Sequence, residues 1–110
     1  MVYNEKYDRW VSKEGLIFRY SKTQNKLVIC KLSTHRDGYL MFGVNHKLFL
    51  VHRAVWETFN GSIPDGMEID HINTVRDDNR LENLRCVTHK DNNNNPLTRT
   101  TRQKSLTGIA

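Results

Sequence analysis

The sequence predicts an α+β fold in which a small N-terminal antiparallel β-sheet and one helix precede a second pair of strands. Three observations indicate this class. Short runs rich in β-branched and aromatic residues alternate with turn residues up to about residue 50. A helical period then replaces the strand pattern over about ten residues. Two further strand-like runs follow, and they flank a polar segment rich in Asn.

Length and composition limit the possible classes of protein. The 110 residues suffice for one compact domain, with or without a basic tail, and are too few for two. No run approaches the roughly 18 apolar residues of a membrane span, and the N-terminus lacks a signal-peptide pattern. Cys30 and Cys86 form no CxxC, so structural zinc is not expected. Reduced thiols are the simpler interpretation, and a disulfide between the two stays open.

The residues up to 50 predict an antiparallel meander. Residues 7–10 form a short entry segment, and strands are expected over 16–20, 26–32 and 39–44. A fourth strand is possible at 48–50, after a short turn over residues 45–47. The polar residues between these runs are typical of tight turns.

A helix of about ten residues follows the meander. Val51, Ala54, Val55 and Phe59 fall at positions i, i+3, i+4 and i+8, which places them on one helical face. Gly61 and the turn after it end the pattern. Packed across the sheet, this face would complete a small core.

Two strands are predicted in the C-terminal half, over residues 67–72 and 84–88. Residues 74–83, which lie between them, have no period and are rich in charge, so we expect a loop. Asp70 and His71 are neighbours on the first strand. Adjacent residues of a regular strand point to opposite faces, so both can serve one site only at a strand end or twist.

The charge is distributed unevenly along the chain. Net charge is +5 overall, with zero over residues 1–15, +5 over 16–60, −3 over 61–91 and +3 over 97–110. Basic flanks around an acidic centre would suit a protein that grips a phosphate backbone on both sides of a carboxylate-based cation site. Charge alone fits an ordinary uneven surface equally well.

The spacing of Asp, His and Asn residues carries the most specific signal. Asn83 lies twelve positions after His71, and Asn92 lies nine after Asn83. This pattern resembles the HNH nucleases of the ββα-metal group, and phage homing-type members most closely. The resemblance is strong over residues 50–95 and looser over 7–49. The matching motifs are His52-Arg53, Asp70-His71, Asp78-Asn79-Arg80, Asn83-Leu84-Arg85 and Asn92.

The resemblance implies a domain organisation. Residues 1–50 would be an antiparallel sheet that contacts DNA. Residues 51–96 would be the HNH ββα-metal nuclease core together with the helix that precedes it. Residues 97–110 would be an exposed basic tail.

The resemblance also implies roles for individual residues. Asp70 would be the anionic metal ligand, and Asn92 would supply a second oxygen. Oxygen ligands suit Mg²⁺ or Mn²⁺. His71 would be the general base that takes a proton from the attacking water. Asn83 would tether the loop and orient His71. The implied products carry a 5′ phosphate and a 3′ hydroxyl.

Each of these residues has a plainer interpretation. Asn79 is expected only to satisfy loop backbone groups, and Asn83 does so in part. Arg80 is expected in salt bridges, whereas Arg85 could pair with an acid or contact phosphate. His52, at the start of a helix, is expected to be structural.

The identity of the second metal ligand is open. His89 lies three residues before Asn92, so a different register would make it the ligand. The neighbouring Asn93, Asn94 and Asn95 create the same ambiguity.

Double-stranded DNA is the expected partner. A β-ribbon can lie in a major groove with Lys and Arg on phosphates or base edges. One such site cuts one strand, so a monomer would nick, and double-strand cleavage would need a homodimer or successive nicks. A cytoplasmic location follows, in the host cell if the gene is phage-borne. The predicted DNA contacts are Arg19, Lys22, Lys26, Lys31, Arg36, Lys47, Arg85, Arg99, Arg102 and Lys104.

Two rival functions come from other classes. A non-catalytic DNA-binding protein on the same scaffold would bind DNA without metal and without turnover. A small interaction domain would use its Asn residues as loop filler, and Mg²⁺ would not stabilise it against heat. The combination of Asp70, His71 and Asn92 favours the nuclease.

Overall fold

The computed structural model describes residues 1–89, and the α+β class is confirmed there. Three antiparallel sheets surround one α-helix in that range. The strands are β1 (Val2–Asn4), β2 (Arg9–Val11), β3 (Ile17–Ser21), β4 (Lys26–Ile29), β5 (Ser33–Thr34), β6 (Leu40–Val44), β7 (Lys47–Leu50), β8 (Met67–His71) and β9 (Leu84–Thr88); the helix is α1 (Val51–Asn60), and a 3₁₀ turn covers Leu81–Asn83.

The N-terminal strands form two sheets rather than the single meander predicted. One sheet has the order β1-β2-β3-β4 and the other β5-β6-β7. The predicted strand over 26–32 divides, because β4 ends at Ile29 and the chain leaves the first sheet after Cys30 donates its N–H to the Ile17 carbonyl (2.8 Å). The predicted entry segment is part of a hairpin, in which Tyr3 pairs with Trp10.

Helix α1 has the length and the buried face that the sequence predicts. Val51, Ala54 and Val55 are fully buried, and Phe59 packs against them while partly exposed. The helix ends where Gly61, at φ 94°, donates its N–H to the Glu57 carbonyl (2.8 Å). Glycine adopts this left-handed conformation at a helix end without steric cost.

Buried residues from all three sheets and the helix form one core. Side chains of the first fifty residues pack with those of α1, β8 and β9, so the predicted regions 1–50 and 51–96 share this core. Polar contacts reinforce the junction, since Tyr7 donates its hydroxyl to Glu57 and Asn4 donates to Thr58 (2.9 Å). The core consists of Tyr7, Val11, Ile17, Phe42, Val51, Ala54, Val55, Ile69 and Leu84.

A membrane-spanning helix is absent from residues 1–89, since none there combines the length and apolar character that crossing a bilayer requires.

Candidate active site

The β8–β9 hairpin places an acid and a histidine next to each other at the end of a strand. In its register Asp70 lies opposite Arg85, and His71 lies opposite Leu84. Successive residues of a strand face opposite sides, so His71 points with Leu84 toward the core and Asp70 points with Arg85 away from it. Both are nonetheless buried, with 8% of Asp70 and 4% of His71 exposed.

The ring of His71 is held by one hydrogen bond at its far nitrogen. Nε2 lies 2.7 Å from Oδ1 of Asn79, which is itself 3% exposed. An amide oxygen only accepts, so with this oxygen facing the ring, Nε2 carries the proton. The lone pair of the neutral imidazole is then on Nδ1. Asn79 thereby selects the tautomer that a base at Nδ1 needs.

Two further rings surround His71. The His52 ring, on α1, has its centroid 4.7 Å away at an interplanar angle of 51°. Tyr39, just before β6, stacks on His52 at 5.2 Å and lies 5.9 Å from His71. The helix and two sheets therefore each contribute one ring to the same cluster.

His52 is buried in its neutral form. Burial, followed by the electrostatic effects of His71 and Arg53, lowers its pKa from the ordinary 6.5 to about 3. Its Nδ1 is buried and has no hydrogen-bond partner within residues 1–89. An unpaired buried polar group costs about 1–3 kcal/mol of stability, so packing alone does not account for a histidine here.

Asn83 tethers the loop between β8 and β9. Its side-chain oxygen accepts from the Asn73 N–H (3.0 Å), and its amide donates to the Asn73 side chain and the Asp78 carbonyl (2.9 Å each). Its own carbonyl accepts from the N–H of Ile72 (2.8 Å). These four bonds form the loop tether that the sequence predicts.

Charged groups stiffen the same loop. Arg80 donates to both carboxylate oxygens of Asp78 (2.8 Å each) and to Glu82 (2.9 Å), as predicted for this arginine. The bonds from Arg80, with one from Asn73, hold the pKa of Asp78 well below its usual range. Exposed pairs of this kind add little stability, so their main effect is on loop shape.

The N-terminal sheets brace the loop from outside. Lys13 accepts the N–H of Leu81 through its carbonyl (2.7 Å), next to Gly15. Gly15 has φ 94°, and a Cβ there would lie 3.0 Å from Cβ and O of Asn79. Arg76 donates to the Asp37 carbonyl (2.7 Å), in the turn that precedes β6. Both sheets therefore help to place Asn79.

Asp70 is the described residue whose chemistry best fits a divalent cation. Its Oδ2 accepts from Nε of Arg85 at 2.9 Å, so the carboxylate is already paired with one cation. Mg²⁺ is commonly bound by one or two carboxylates plus waters and substrate phosphate oxygens. Residues 1–89 hold no cluster of three or more His, Cys, Asp or Glu side chains arranged for a metal. The Asp70 carboxylate therefore fits a hard cation of this kind.

The alternative ligand His89 lies directly after β9. His89 lies 3.1 Å from the Glu68 carboxylate through Nδ1, and its side chain is 75% exposed. Asn92 and the range 93–95 lie outside the described residues.

The predicted DNA contacts do not form a single ribbon. Arg19 and Lys26 share one face of the first sheet, since Lys26 pairs with Ser21, two residues along from Arg19. Arg99, Arg102 and Lys104 lie outside the described residues, and Arg85 is paired with Asp70. The remaining predicted contacts are exposed residues of turns, connections and strand β7, namely Lys22, Lys31, Arg36 and Lys47.

Two expectations about the site are corrected. The sequence assigned Asn79 to loop backbone alone, but it is the residue bonded to the His71 ring. The orienting role was expected of Asn83, whose side chain instead bonds to Asn73 and Asp78. Asn83 immediately precedes β9 and faces the loop, whereas Asn79 turns inward beneath Gly15. In the sequence, the Asp78-Asn79-Arg80 motif contains the residue that bonds to His71. The His52-Arg53 motif contains the ring that lies beside it.

A buried histidine at the end of a β-hairpin, next to a paired carboxylate and held by a loop asparagine, defines a small nuclease-type site. A family model described as HNH endonuclease matches residues 49–94, which contain every one of these groups. With the relatives described next, this shows that the chain belongs to the HNH endonuclease family.

The similar proteins come from phages and a prophage. The gene 5.3 protein of Enterobacteria phage T3 is 35% identical over 66% of this chain and 79% of its own length. The SPbeta prophage-derived putative HNH homing endonuclease YosQ of Bacillus subtilis is 35% identical over 76% of this chain and 49% of its own. DNA endonuclease I-HmuI of Bacillus phage SP01 is 39% identical over 83% and 52%.

A solved structure has the same fold. It is described as DNA binding and cleavage by the HNH homing endonuclease I-HmuI, and it matches with a TM-score of 0.68 and 29% identity. The match covers 94% of this chain and 59% of that one. The chain thus spans about half the length of two of these curated relatives and somewhat more of the solved structure.

Proposed function

We propose that this protein is a metal-dependent DNA endonuclease that hydrolyses a phosphodiester bond and leaves a 5′ phosphate and a 3′ hydroxyl. The observation that carries the proposal is the bond from His71 Nε2 to Asn79, at 2.7 Å, in a ring cluster beside Asp70. It gives a buried histidine a fixed tautomer, which a general base requires and a packing residue does not. DNA is the proposed substrate because the relative I-HmuI is named a DNA endonuclease.

His71 is the proposed general base. Its Nδ1 lone pair takes a proton from the water that attacks the phosphorus. Nε2 keeps its own proton and continues to donate it in the hydrogen bond to Oδ1 of Asn79. Because Asn79 and the two neighbouring rings fix the imidazole, little reorganisation is needed at the moment of proton transfer. The positive charge that forms on His71 faces the amide oxygen of Asn79.

Asp70 and Asn92 are the proposed ligands of Mg²⁺ or Mn²⁺. When bound, the ion would neutralise charge on the scissile phosphate and on the leaving 3′ oxygen. Arg85 fixes the carboxylate of Asp70 from one side through a hydrogen bond of 2.9 Å. Its side chain is 41% exposed, so it can also face a phosphate while remaining paired. Asn83 keeps the β8–β9 loop in place through its bonds to Asn73 and Asp78.

DNA engagement is proposed for the exposed basic side chains of both N-terminal sheets and for the arginines near the C-terminus. A monomer with one such site would nick one strand, and a homodimer would be needed for prompt double-strand cleavage. The host-cell cytoplasm is the proposed location, since the similar proteins are encoded by phages and a prophage.

The test is cleavage of supercoiled plasmid with Mg²⁺ or Mn²⁺, comparing wild type with His71→Ala and with an EDTA control. We expect metal-dependent conversion to open circles, reduced by a factor of about 100 or more in the variant because a general base contributes about 10²–10⁴-fold. His46→Asn is the matched control, since His46 is exposed in the β6–β7 turn. It should cut at the wild-type rate.

Other outcomes would select other functions. Binding of DNA without cutting in either metal would favour a non-catalytic DNA-binding protein. Equal cleavage rates for wild type and His71→Ala would show that His71 is not the general base. Early linear product would indicate that two copies act together.

A further inference from the structure

His52 lies in the cluster of rings around His71, but the proposed mechanism gives it no role. Its ring is 4.7 Å from that of His71, stacks on Tyr39 at 5.2 Å, and is 6% exposed. The Tyr39 ring and the Asn79 amide also lie beside the side chain of His71. His52 is therefore in direct contact with the proposed base and is sealed from solvent with it.

The Nδ1 atom of His52 is buried and makes no hydrogen bond that would stabilise the fold within residues 1–89. A phenylalanine would fill a similar flat space, stack equally on Tyr39, and leave no buried polar atom unpaired. Unpaired polar groups in native interiors are often retained for function, because a preorganised dipole can stabilise charge that appears only during a reaction.

We propose that His52 is a positioning residue for DNA cleavage, acting through His71: its uncharged polar ring holds the base in place and faces the charge that the base acquires during the reaction. This inference rests on the proposed function, since it assigns His52 a part in the same step. It adds a residue from helix α1, in a different element from the strands and loop that carry the base.

The surroundings of His52 suit an uncharged neighbour. Burial, followed by the electrostatic effects of His71 and Arg53, lowers the pKa of His52 to about 3, so its ring is uncharged near neutral pH. A cation in this position would repel the charged base, whereas a hydrocarbon would leave a buried charge facing an apolar wall. A neutral imidazole avoids both.

The experiment compares His52→Phe, which keeps a flat ring and removes the nitrogens, with His52→Gln, which keeps a polar group of similar volume. Single-strand cleavage kinetics and thermal unfolding are measured for both and for the control His46→Asn. We expect His52→Phe to melt no lower than wild type, while kcat falls about tenfold and KM stays within about twofold, as for groups that orient a reacting residue. His52→Gln should recover part of the kcat that the Phe variant lacks.

Three results would overturn the inference. His52→Phe could cut at the wild-type rate, the Phe and Gln variants could be slowed equally, or kcat could fall only in proportion to the decrease in stability. If Phe prevents folding, His52→Leu is compared with His52→Gln in the same way. Failure of the proposed function is separate, because it would appear as absence of cutting by the wild-type protein.

Discussion

At the scale of single residues, the hydrogen bond between Asn79 and His71 has the greatest chemical consequence. An imidazole without it could rotate or exchange tautomers, and then Nδ1 would carry a proton part of the time. A buried amide that fixes a histidine can change the rate of a reaction even though it never touches the substrate. The bond is short, at 2.7 Å, and lies wholly in the interior.

We therefore predict that Asn79→Ala slows cleavage about 10- to 100-fold, the usual cost of removing a group that orients a reactive residue. The measurement is the single-turnover nicking rate on plasmid. Asn60→Ala is the matched control, because Asn60 is exposed and donates only to its own helix at Trp56 (3.2 Å). An Asn79→Ala rate equal to that of the control would contradict the assignment.

Because His52 is buried in its uncharged form, the stability of the protein should depend on pH. The pKa of His52 is about 3 in the folded protein and 6.5 when unperturbed, so the unfolded chain binds the extra proton first. The contribution of neutral His52 to the free energy of unfolding is fully present above about pH 6.5. It is lost as the pH falls toward 3, at about 1.4 kcal/mol per pH unit. Urea unfolding at pH 7, 5 and 4 measures it.

His52→Gln supplies the comparison, since glutamine does not titrate. Carboxylates such as Asp78, whose pKa is also lowered, contribute the same acid sensitivity to both proteins. The wild type should therefore lose more stability on acidification than the variant. Parallel decreases would mean that His52 accepts its proton without unfolding.

At the scale of elements, the loop between β8 and β9 is a braced structure rather than a flexible connection. Asn83 joins the two ends of the loop by hydrogen bonds, and Arg80 pairs with the Asp78 and Glu82 carboxylates. The β2–β3 turn supports the loop because the carbonyl of Lys13 accepts the N–H of Leu81 at 2.7 Å. Gly15 allows this close approach, because any side chain there would meet Asn79.

Gly15→Ala should consequently disturb the site from a distance. The added Cβ would meet Asn79 at 3.0 Å and shift it, which we expect to cost about 1–3 kcal/mol beyond the backbone strain. Gly61→Ala isolates that strain, since Gly61 has the same φ of 94° with nothing within 4 Å. Melting temperature and nicking rate should both fall further in Gly15→Ala. Equal effects would show that only the backbone matters.

The sequence predicted the elements that local pattern controls. Helix α1 and strand β9 have the bounds that their periods indicate, and the β6–β7 turn falls at Asn45 and His46, both with positive φ as a tight hairpin requires. The division of the strands between two sheets was not predictable. A run such as 26–32 is equally apolar whether or not the chain changes sheets at Cys30.

The candidate site was predicted in composition but not in connectivity. Spacing identified Asp70, His71 and Asn83, whereas the bond from Asn79 to His71 depends on how an aperiodic loop folds. Tyr39 and His52 join the cluster only through packing between distant elements. Such contacts leave no periodic signal in a single sequence.

At the scale of the whole molecule, basic residues lie on both N-terminal sheets and beyond residue 89, around an acidic centre. Attraction to phosphates should therefore supply much of the affinity for DNA, and it should weaken with salt. We predict that changing Arg99 and Arg102 to Ala weakens binding to all DNA about equally. The slope of log affinity against log salt should become shallower by about 2, since each phosphate that a side chain neutralises adds about 0.9 to it.

Binding is measured by fluorescence anisotropy on two duplexes of unrelated sequence over a series of salt concentrations. Glu5→Gln and Asp8→Asn, changed together, raise the net charge by about 2 where the arginine changes lower it by about 2, so an effect of net charge alone would move the affinity in the opposite direction. A decrease in affinity confined to one of the two duplexes would show that the arginines read sequence.

The hydrogen bonds between the first hairpin and helix α1 limit which segments such proteins can exchange by recombination. Asn4 and Tyr7 are matched to Thr58 and Glu57, which lie inside the segment that the family model covers. A chimera that takes its N-terminal sheet from a relative would lose Asn4 and Tyr7 and leave Thr58 and Glu57 without these hydrogen bonds. Recombination between phage genes should therefore preserve such proteins mainly when the crossover lies outside residues 4–58, so that hairpin and helix are inherited together.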